Sequence, residues 1–278
     1  MSETSIATLV AHLPSSNQTV PALNPANGKK IFDLPQLSTQ QVVAAFAKAR
    51  EAQVNWAKTP VSERAKLLNE LHKLMLADEE KLLDLLQLET AKARAHAFEE
   101  TVGAIAAAKY YSRIATKALT RKPTRAGIPL LTKTYVDHAP LGVVGVITPW
   151  NYPLALTMLD VLPALVAGNA VVQKADNQTA LTVLFARHLA VEAGIPAELW
   201  TVVVGDGEQV GNAIVIMGVH ERRVLRKPRE PPALGRDHLA IRVHRFIGGH
   251  IVHQPLGLVD NLGHHIQGAD KFVAVHGQ

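Results

Sequence analysis

Apolar and polar positions follow two different rhythms along this chain. Through residue 119 the apolar residues recur mainly at helical spacing, whereas from residue 141 they gather into short β-prone runs separated by helix-length segments. Residues 20–37 (VPALNPANGKKIFDLPQL) carry Asn-Gly and three prolines around short apolar pieces, which predicts strands and turns. Ser38 then reads as a helix cap, with Val42, Val43, Phe46, Ala49, Val54 and Trp56 broadly on helical spacing until Thr59-Pro60 ends the run. Ser62 is expected to open a long amphipathic helix pair, with Asp78 as a second cap. Residues 95–119 are Ala-rich and predicted helical, and RKPTRAGIPL (121–130) reads as a basic connection.

The second rhythm begins with LGVVGVIT, a predicted strand over 141–148. A helix is expected at about 152–167, closed by Gly168-Asn169, then a strand at 170–173. A second helix spans about 178–193, closed by Gly194 with Pro196 beyond, and a strand follows at 200–204. Strand, helix, strand, helix, strand with short connections predicts an α/β fold: an incomplete Rossmann-like parallel sheet with helices on both faces, preceded by an N-terminal helical region. Ligands of such sheets bind beyond the carboxyl ends of the strands. ITPWN (147–151) and the segment opening at Lys174 both stand at such ends.

Composition sharpens this picture at three points. The chain has 278 residues, 47% of them apolar, enough for a sizeable core. It has no cysteine, which excludes disulfides, cysteine-ligated zinc and any thiol nucleophile. The net charge is +5, and most of it lies after residue 216, together with most of the histidines. The opening segment lacks a basic, apolar leader pattern, so a cytoplasmic location is expected. Residues 154–172 are the one apolar stretch of near-membrane length. Asp160, Pro163 and a Gly-Asn break favour a buried helix running into a strand over a membrane span.

Three features at the predicted strand ends can carry chemistry. Asn151 can point an amide donor at a carbonyl oxygen that gains negative charge, or it can simply cap the following helix. Lys174 can reach ribose hydroxyls or a phosphate, or it can snorkel to water from a strand end. GDGEQVG (205–211) follows a strand and opens a helix, as a phosphate-cradling turn would. Its spacing is one residue too long for the dinucleotide fingerprint.

Together, PLGVVGVITPWNYP, VPALVAGNAVVQKADNQT and AGIPAELWTVVVGDGEQVGNAI resemble the aldehyde dehydrogenase superfamily, nearest to its succinate-semialdehyde dehydrogenase branch. The resemblance runs from about Asn24 to Val215 and includes WAKTPVSERAKLL and LLQLETAKARAHAFEE. It implies that Asn151 is the side-chain half of an oxyanion hole, and that Ile147, Thr148, Pro149 and Trp150 line the nicotinamide end of the cofactor site. It also implies that Lys174 holds the adenosine ribose and that Gly207 lets the backbone approach the adenine side. NAD-preferring members carry a glutamate three residues after this lysine. Here that position is Asn177, preceded by Asp176, which favours NADP over NAD as the cofactor. Ala175 stands where the family usually has proline.

After Val215 the resemblance stops. The family's Phe-Thr-Gly-Ser, Glu-Leu-Gly-Gly-Lys and Glu-x-Phe-Gly-Pro segments do not follow, and neither does its catalytic cysteine. Loss of a nucleophile costs about 10⁶ in rate, so this chain is expected to be an inactive, truncated family fragment. The alternative is a non-catalytic nucleotide-binding or subunit-interaction module. Residues 1–215 are thus expected to be the partial cofactor-binding domain, and 216–278 an irregular, basic, His/Arg-rich tail. A metal site using His250, His253, His264 and His265, and nucleic-acid binding through HERRVLRKPRE, are both weighed for the tail. An out-of-frame or recombined segment is preferred, and no metal is assigned. Expected partners are a small-molecule aldehyde and a second subunit, either a copy of this chain or a full-length homologue, with no membrane.

Overall fold

A computed structural model describes residues 3–125, 133–225, 242–247 and 250–255. Helix α1 (Glu3–Val10) precedes an antiparallel hairpin of β1 (Thr19–Leu23) and β2 (Lys30–Pro35). Four helices follow: α2 (Thr39–Trp56), α3 (Val61–Ala77), α4 (Glu79–Thr90) and α5 (Arg94–Leu119). Ser38 caps α2 as predicted. Its hydroxyl accepts from Gln41 N–H while the Gln41 side chain returns to the Ser38 N–H at 2.9 Å, a reciprocal capping box. Val42, Phe46, Ala49 and Trp56 are buried, whereas Val43 and Val54 face outward.

Of the other two predicted caps, Ser62 is corrected and Asp78 keeps its place. Helix α3 starts at Val61, with Pro60 as its unbonded cap, because the Pro60 carbonyl already accepts from Glu63 and Arg64 N–H. Ser62 is therefore inside the first turn. Asp78 is the N-cap residue of α4 as expected, although its carboxylate makes no cap hydrogen bond and pairs with Lys81 at 2.7 Å. Helix α4 ends on Ala91 in the left-handed region, at φ 54°.

A short hairpin, β3 (Lys122–Thr124) with β4 (Thr134–Val136), leads to the sheet; residues 126–130 of the basic connection lie outside the described residues. The sheet comprises β5 (Val143–Ile147), β6 (Ala170–Lys174) and β7 (Trp200–Val203), parallel and in the order β5-β6-β7. Helix α6 (Pro153–Val166) links the first pair and α7 (Ala180–Glu192) the second. Helices α6 and α7 pack on one face, and α2 with α8 (Asn212–Leu225) on the other. Every residue of β5 and β6 is buried, the mark of a strand covered on both faces. Gly145 is needed there, since a Cβ would meet Ile214 Cγ2 at 2.7 Å.

Among the described residues no helix is long and apolar enough to cross a membrane. Where an irregular tail is expected from residue 216, the described residues hold two regular pieces: the second half of α8, to Leu225, and the antiparallel hairpin of β8 (Arg242–Ile247) and β9 (His250–Pro255), with His244 opposite His253. His264 and His265 lie outside the described residues, among which no group of three potential metal ligands occurs. Residues 226–230 of HERRVLRKPRE also lie outside them.

Candidate functional site

The carboxyl ends of β5 and β6 are in register, Ile147 opposite Lys174, and the pairing continues one step further as Thr148 N–H donates to the Lys174 carbonyl at 3.1 Å. Thr148 is buried and its hydroxyl is held from below. Gln173 donates to Thr148 Oγ1 at 2.9 Å and to Thr157 Oγ1 at 2.6 Å, while Trp200 Nε1 donates to Gln173 Oε1 at 2.8 Å. This buried chain of side chains ties the turn after β5 to α6 and β7. Pro149 is half-buried and Trp150 is 53% exposed, so the turn climbs out of the core within three residues.

Asn151 follows, half-buried, with Oδ1 fully buried and without a hydrogen-bond partner. It does not cap α6. The capping residue is Tyr152, which makes no side-chain cap bond. The first turn of α6 is claimed instead by Glu100 of α5, whose Oε1 accepts from Leu154 N–H at 2.8 Å and Ala155 N–H at 3.2 Å. The other Glu100 oxygen pairs with Lys92, whose ammonium lies 4.2 Å from the centre of the Tyr152 ring. With the capping role taken, the Asn151 amide is left at the strand end. A buried polar atom without a partner is uncommon and points to a ligand or a reacting group.

Lys174 does not snorkel. Its residue is 7% exposed, and Nζ makes a 3.3 Å contact with the Ala175 carbonyl. Burial lowers its pKa, opposed by Asp176 and Asp206. The predicted ribose-side residues are largely engaged in shaping the turns. Asp176 Oδ1 accepts from Gln178 N–H at 2.9 Å, and Asn177 Oδ1 accepts from Gly205 N–H at 2.8 Å, which locks the β6 exit to the β7 exit. Asp206 caps a five-residue π-helical turn, Gly207–Gly211, through Glu208 and Gln209 N–H. Gly205 is obligatory, at φ 146° with a Cβ due to meet Val210 Cγ2 at 2.6 Å. Gly207 is not, because a Cβ there would meet nothing within 4 Å. The protein leaves open space at Gly207.

Comparison with known proteins fits this arrangement. The sequence pattern of the aldehyde dehydrogenase family matches residues 12–220. The chain belongs to this family. A Mycobacterium ulcerans relative, named for NADP(+)-dependent succinate-semialdehyde dehydrogenase activity, is 48% identical over 187 residues, covering 67% of this chain and 36% of the relative. The fold superimposes on an Escherichia coli NADP-dependent enzyme with a TM-score of 0.68 at 31% identity, covering 72% of this chain and 42% of that one. It also matches an NAD-dependent benzaldehyde dehydrogenase of Corynebacterium glutamicum, with a TM-score of 0.68 at 31% identity, over 73% and 44% of the two chains. The chain thus spans less than half the length of each of these proteins.

Sequence reasoning misses Glu89, Glu100 and Gln173. Glu89 of α4 is fully buried and does for α7 what Glu100 does for α6, accepting from Leu181 and Thr182 N–H at 2.8 Å and from Thr182 Oγ1 at 2.6 Å. Burial pushes its pKa up to about 7 against the pull of those donors. The one local signal is an acidic residue on the otherwise apolar face of α4 or α5, and its partners lie 50 to 90 residues away.

Proposed function

We propose that the crevice at the ends of β5, β6 and β7 is one side of the NAD(P) site of an aldehyde dehydrogenase acting on succinate semialdehyde. As a lone polypeptide, this chain binds dinucleotide without oxidising aldehyde. The observation that carries the reading is Asn151, whose side chain is released from helix capping by Glu100 and stands at the end of β5 with its Oδ1 buried and unpartnered. Oδ1 accepts and cannot serve an oxyanion, so the Nδ2 end of the same amide would be the donor to the oxygen of a carbonyl under nucleophilic attack, where one such donor is worth about 3–4 kcal/mol of transition-state stabilisation. Lys174 would hold the ribose, and the open backbone at Gly207 would admit the adenine side. Ile147, Thr148, Pro149 and Trp150 would border the nicotinamide, which accepts hydride when bound. The nucleophile is another matter: no cysteine occurs in the 278 residues, and an oxyanion donor cannot replace it.

NADP is favoured over NAD. Asn177 stands in place of a carboxylate that would repel a 2′-phosphate, and the 48%-identical relative is named for NADP. Asp176 and Asp206 act on Lys174, so the preference for the phosphate should be modest. Residues 216–278 are proposed to stand apart from the cofactor-binding part, a division supported by the family match ending at residue 220. A second reading, a non-catalytic module that associates with another subunit, is favoured by a row of exposed apolar residues on α5.

Calorimetric titration of NADP⁺ and NAD⁺ into the full chain, alongside a turnover assay with succinate semialdehyde, tests the proposal. Both nucleotides should bind, NADP⁺ more tightly, and Lys174→Ala should weaken binding by about tenfold to a hundredfold. No NADPH or NADH should form. Turnover by the cysteine-free chain would overturn the inactivity, and absence of binding by both nucleotides would overturn the site.

A further inference from the structure

The turn that leaves β6 carries Lys174, Asp176 and Asn177, and Gln178 follows them half-buried. The sheet fixes the start of this turn, where Ala175 N–H donates to the Val203 carbonyl at 3.1 Å. Asn177 fixes its middle by accepting from Gly205 N–H. Gln178 fixes its far side. Its Nε2 donates to the Leu23 carbonyl at 3.0 Å and to the Glu89 carbonyl at 2.9 Å, partners 155 and 89 residues earlier in the chain. A side-chain amide has two N–H hydrogens, and both are used here. Glu89 lies in the last turn of α4, where carbonyls lack partners inside the helix, so the same amide also closes that helix end.

The N-terminal hairpin thus reaches the crevice twice. Leu23 ends β1 beside the exit of β6, and Leu37, just beyond β2, donates its N–H to the Val204 carbonyl at 3.2 Å at the exit of β7. Within the turn, Asp176 Oδ1 is engaged by Gln178 N–H and Asn177 Oδ1 by Gly205 N–H. A ribose at this turn would therefore meet Lys174 and a backbone whose shape is set by these attachments. We propose that Gln178 is a positioning residue for the dinucleotide: it straps the ribose-side turn to β1 and α4, which makes the hairpin and α4 part of the frame of the cofactor site. The inference rests on the NAD(P) reading of the crevice. A contact surface held in place before the ligand arrives spares the ligand the cost of ordering it, and losing the strap restores that cost.

Gln178→Met keeps the side-chain length and removes both donors, whereas Gln178→Glu keeps the shape and sets a carboxylate against two carbonyl oxygens. Gln53→Met serves as the comparison. Gln53 Nε2 makes the same kind of bond, to the Gly168 carbonyl at 2.9 Å, but at the opposite end of β6 from the crevice. Calorimetric titration of the full chain and its variants with NADP⁺, NAD⁺ and ADP, alongside urea unfolding, reads affinity and stability separately. Gln178→Met should bind all three about tenfold more weakly than the parent, and Gln178→Glu more weakly still. ADP shares the loss because it carries the adenosine ribose without nicotinamide. Gln53→Met should lower the urea midpoint and keep the parent affinities. Unchanged affinities in a folded Gln178→Met chain would overturn the inference and leave the cofactor site standing. Equal affinity losses in Gln178→Met and Gln53→Met would reduce Gln178 to a general structural role and overturn it as well. A parent chain that binds none of the three would overturn the cofactor reading and this inference with it. Circular dichroism confirms that each variant is folded.

Discussion

Oε1 of Glu100 accepts the backbone N–H of Leu154 at 2.8 Å, across 54 residues of sequence. That bond joins α5 to the first turn of α6 and, through Lys92 on the other carboxylate oxygen, reaches the Tyr152 ring beside Asn151. Glu89 and α7 repeat the device. The helical region is therefore the source of the carboxylates that terminate both crossover helices at the crevice, where the helix dipole favours a negative charge.

Removing this carboxylate should show the size of the effect. Glu100→Ala orphans two helix N–H groups and leaves Lys92 without its ion-pair partner, which should cost about 2–3 kcal/mol. Glu100→Gln keeps one acceptor and should cost about half as much. Urea unfolding followed by circular dichroism reads both changes, and equal losses for the two variants would argue against the capping account.

Ala91 is a different kind of cost. It closes α4 at φ 54°, ψ 22°, a region where a Cβ is unfavourable by about 1–2 kcal/mol and which glycine enters freely. Ala91→Gly relieves that strain but gives the unfolded chain more freedom, worth about 0.5–1 kcal/mol in the other direction. The net expectation is a stabilisation of about 1 kcal/mol, seen as a higher urea midpoint with unchanged slope. A lower midpoint would mean that α4 ends differently in solution.

Glu89 makes stability depend on pH. Its pKa rises from an ordinary 4.5 to about 7 in the folded chain, with burial as the leading cause. Between those values the unfolded chain has released the proton while the folded chain still holds it, so the folded state binds more protons. Stability should therefore fall as pH rises from about 4.5 to 7 and level off above, by about 3 kcal/mol in all. Glu89→Gln removes the titration, and unfolding free energies measured at half-unit steps should lose that slope. A slope that persists in the variant would assign the effect to another group.

Much of the architecture is legible in the sequence because the relevant forces are local. Ser38 with Gln41, Gly168-Asn169 and Gly194 punctuate helices through bonds that reach at most a few residues, and the continuous apolar runs of β5 and β6 report burial on both faces. The family motifs likewise place Asn151 and Lys174 at strand ends. The functional environment of those residues is not local. Whether Asn151 caps α6 is decided by Glu100, and whether Asn177 is available to a ribose is decided by Gly205, 28 residues away. A polar residue in a helix pattern gives no hint of the distant N–H it will meet. Ser62 fails as a cap because α3 already begins at Val61, while Asp78 holds the N-cap position of α4 but gives its carboxylate to Lys81 rather than to a cap hydrogen bond.

The two glycines of GDGEQVG separate what the fold needs from what a ligand would need. At Gly205 the backbone sits at φ 146°, and an added Cβ would stand 2.6 Å from Val210 Cγ2 and 3.3 Å from Leu37 N. Gly205→Ala should therefore cost about 2–3 kcal/mol in stability, combining an unfavourable φ with overpacking. Gly207 has neither constraint, so Gly207→Ala should leave the urea midpoint within about 0.5 kcal/mol of the parent. If a dinucleotide approaches the backbone here, the same methyl group intrudes on its adenine side, and NADP⁺ affinity should drop by about tenfold while the fold is unchanged. The pair is best read together in one titration series. Loss of stability only at Gly205 and loss of affinity only at Gly207 would locate the ligand at this turn. Undiminished affinity in a folded Gly207→Ala chain would place the adenine elsewhere along the crevice.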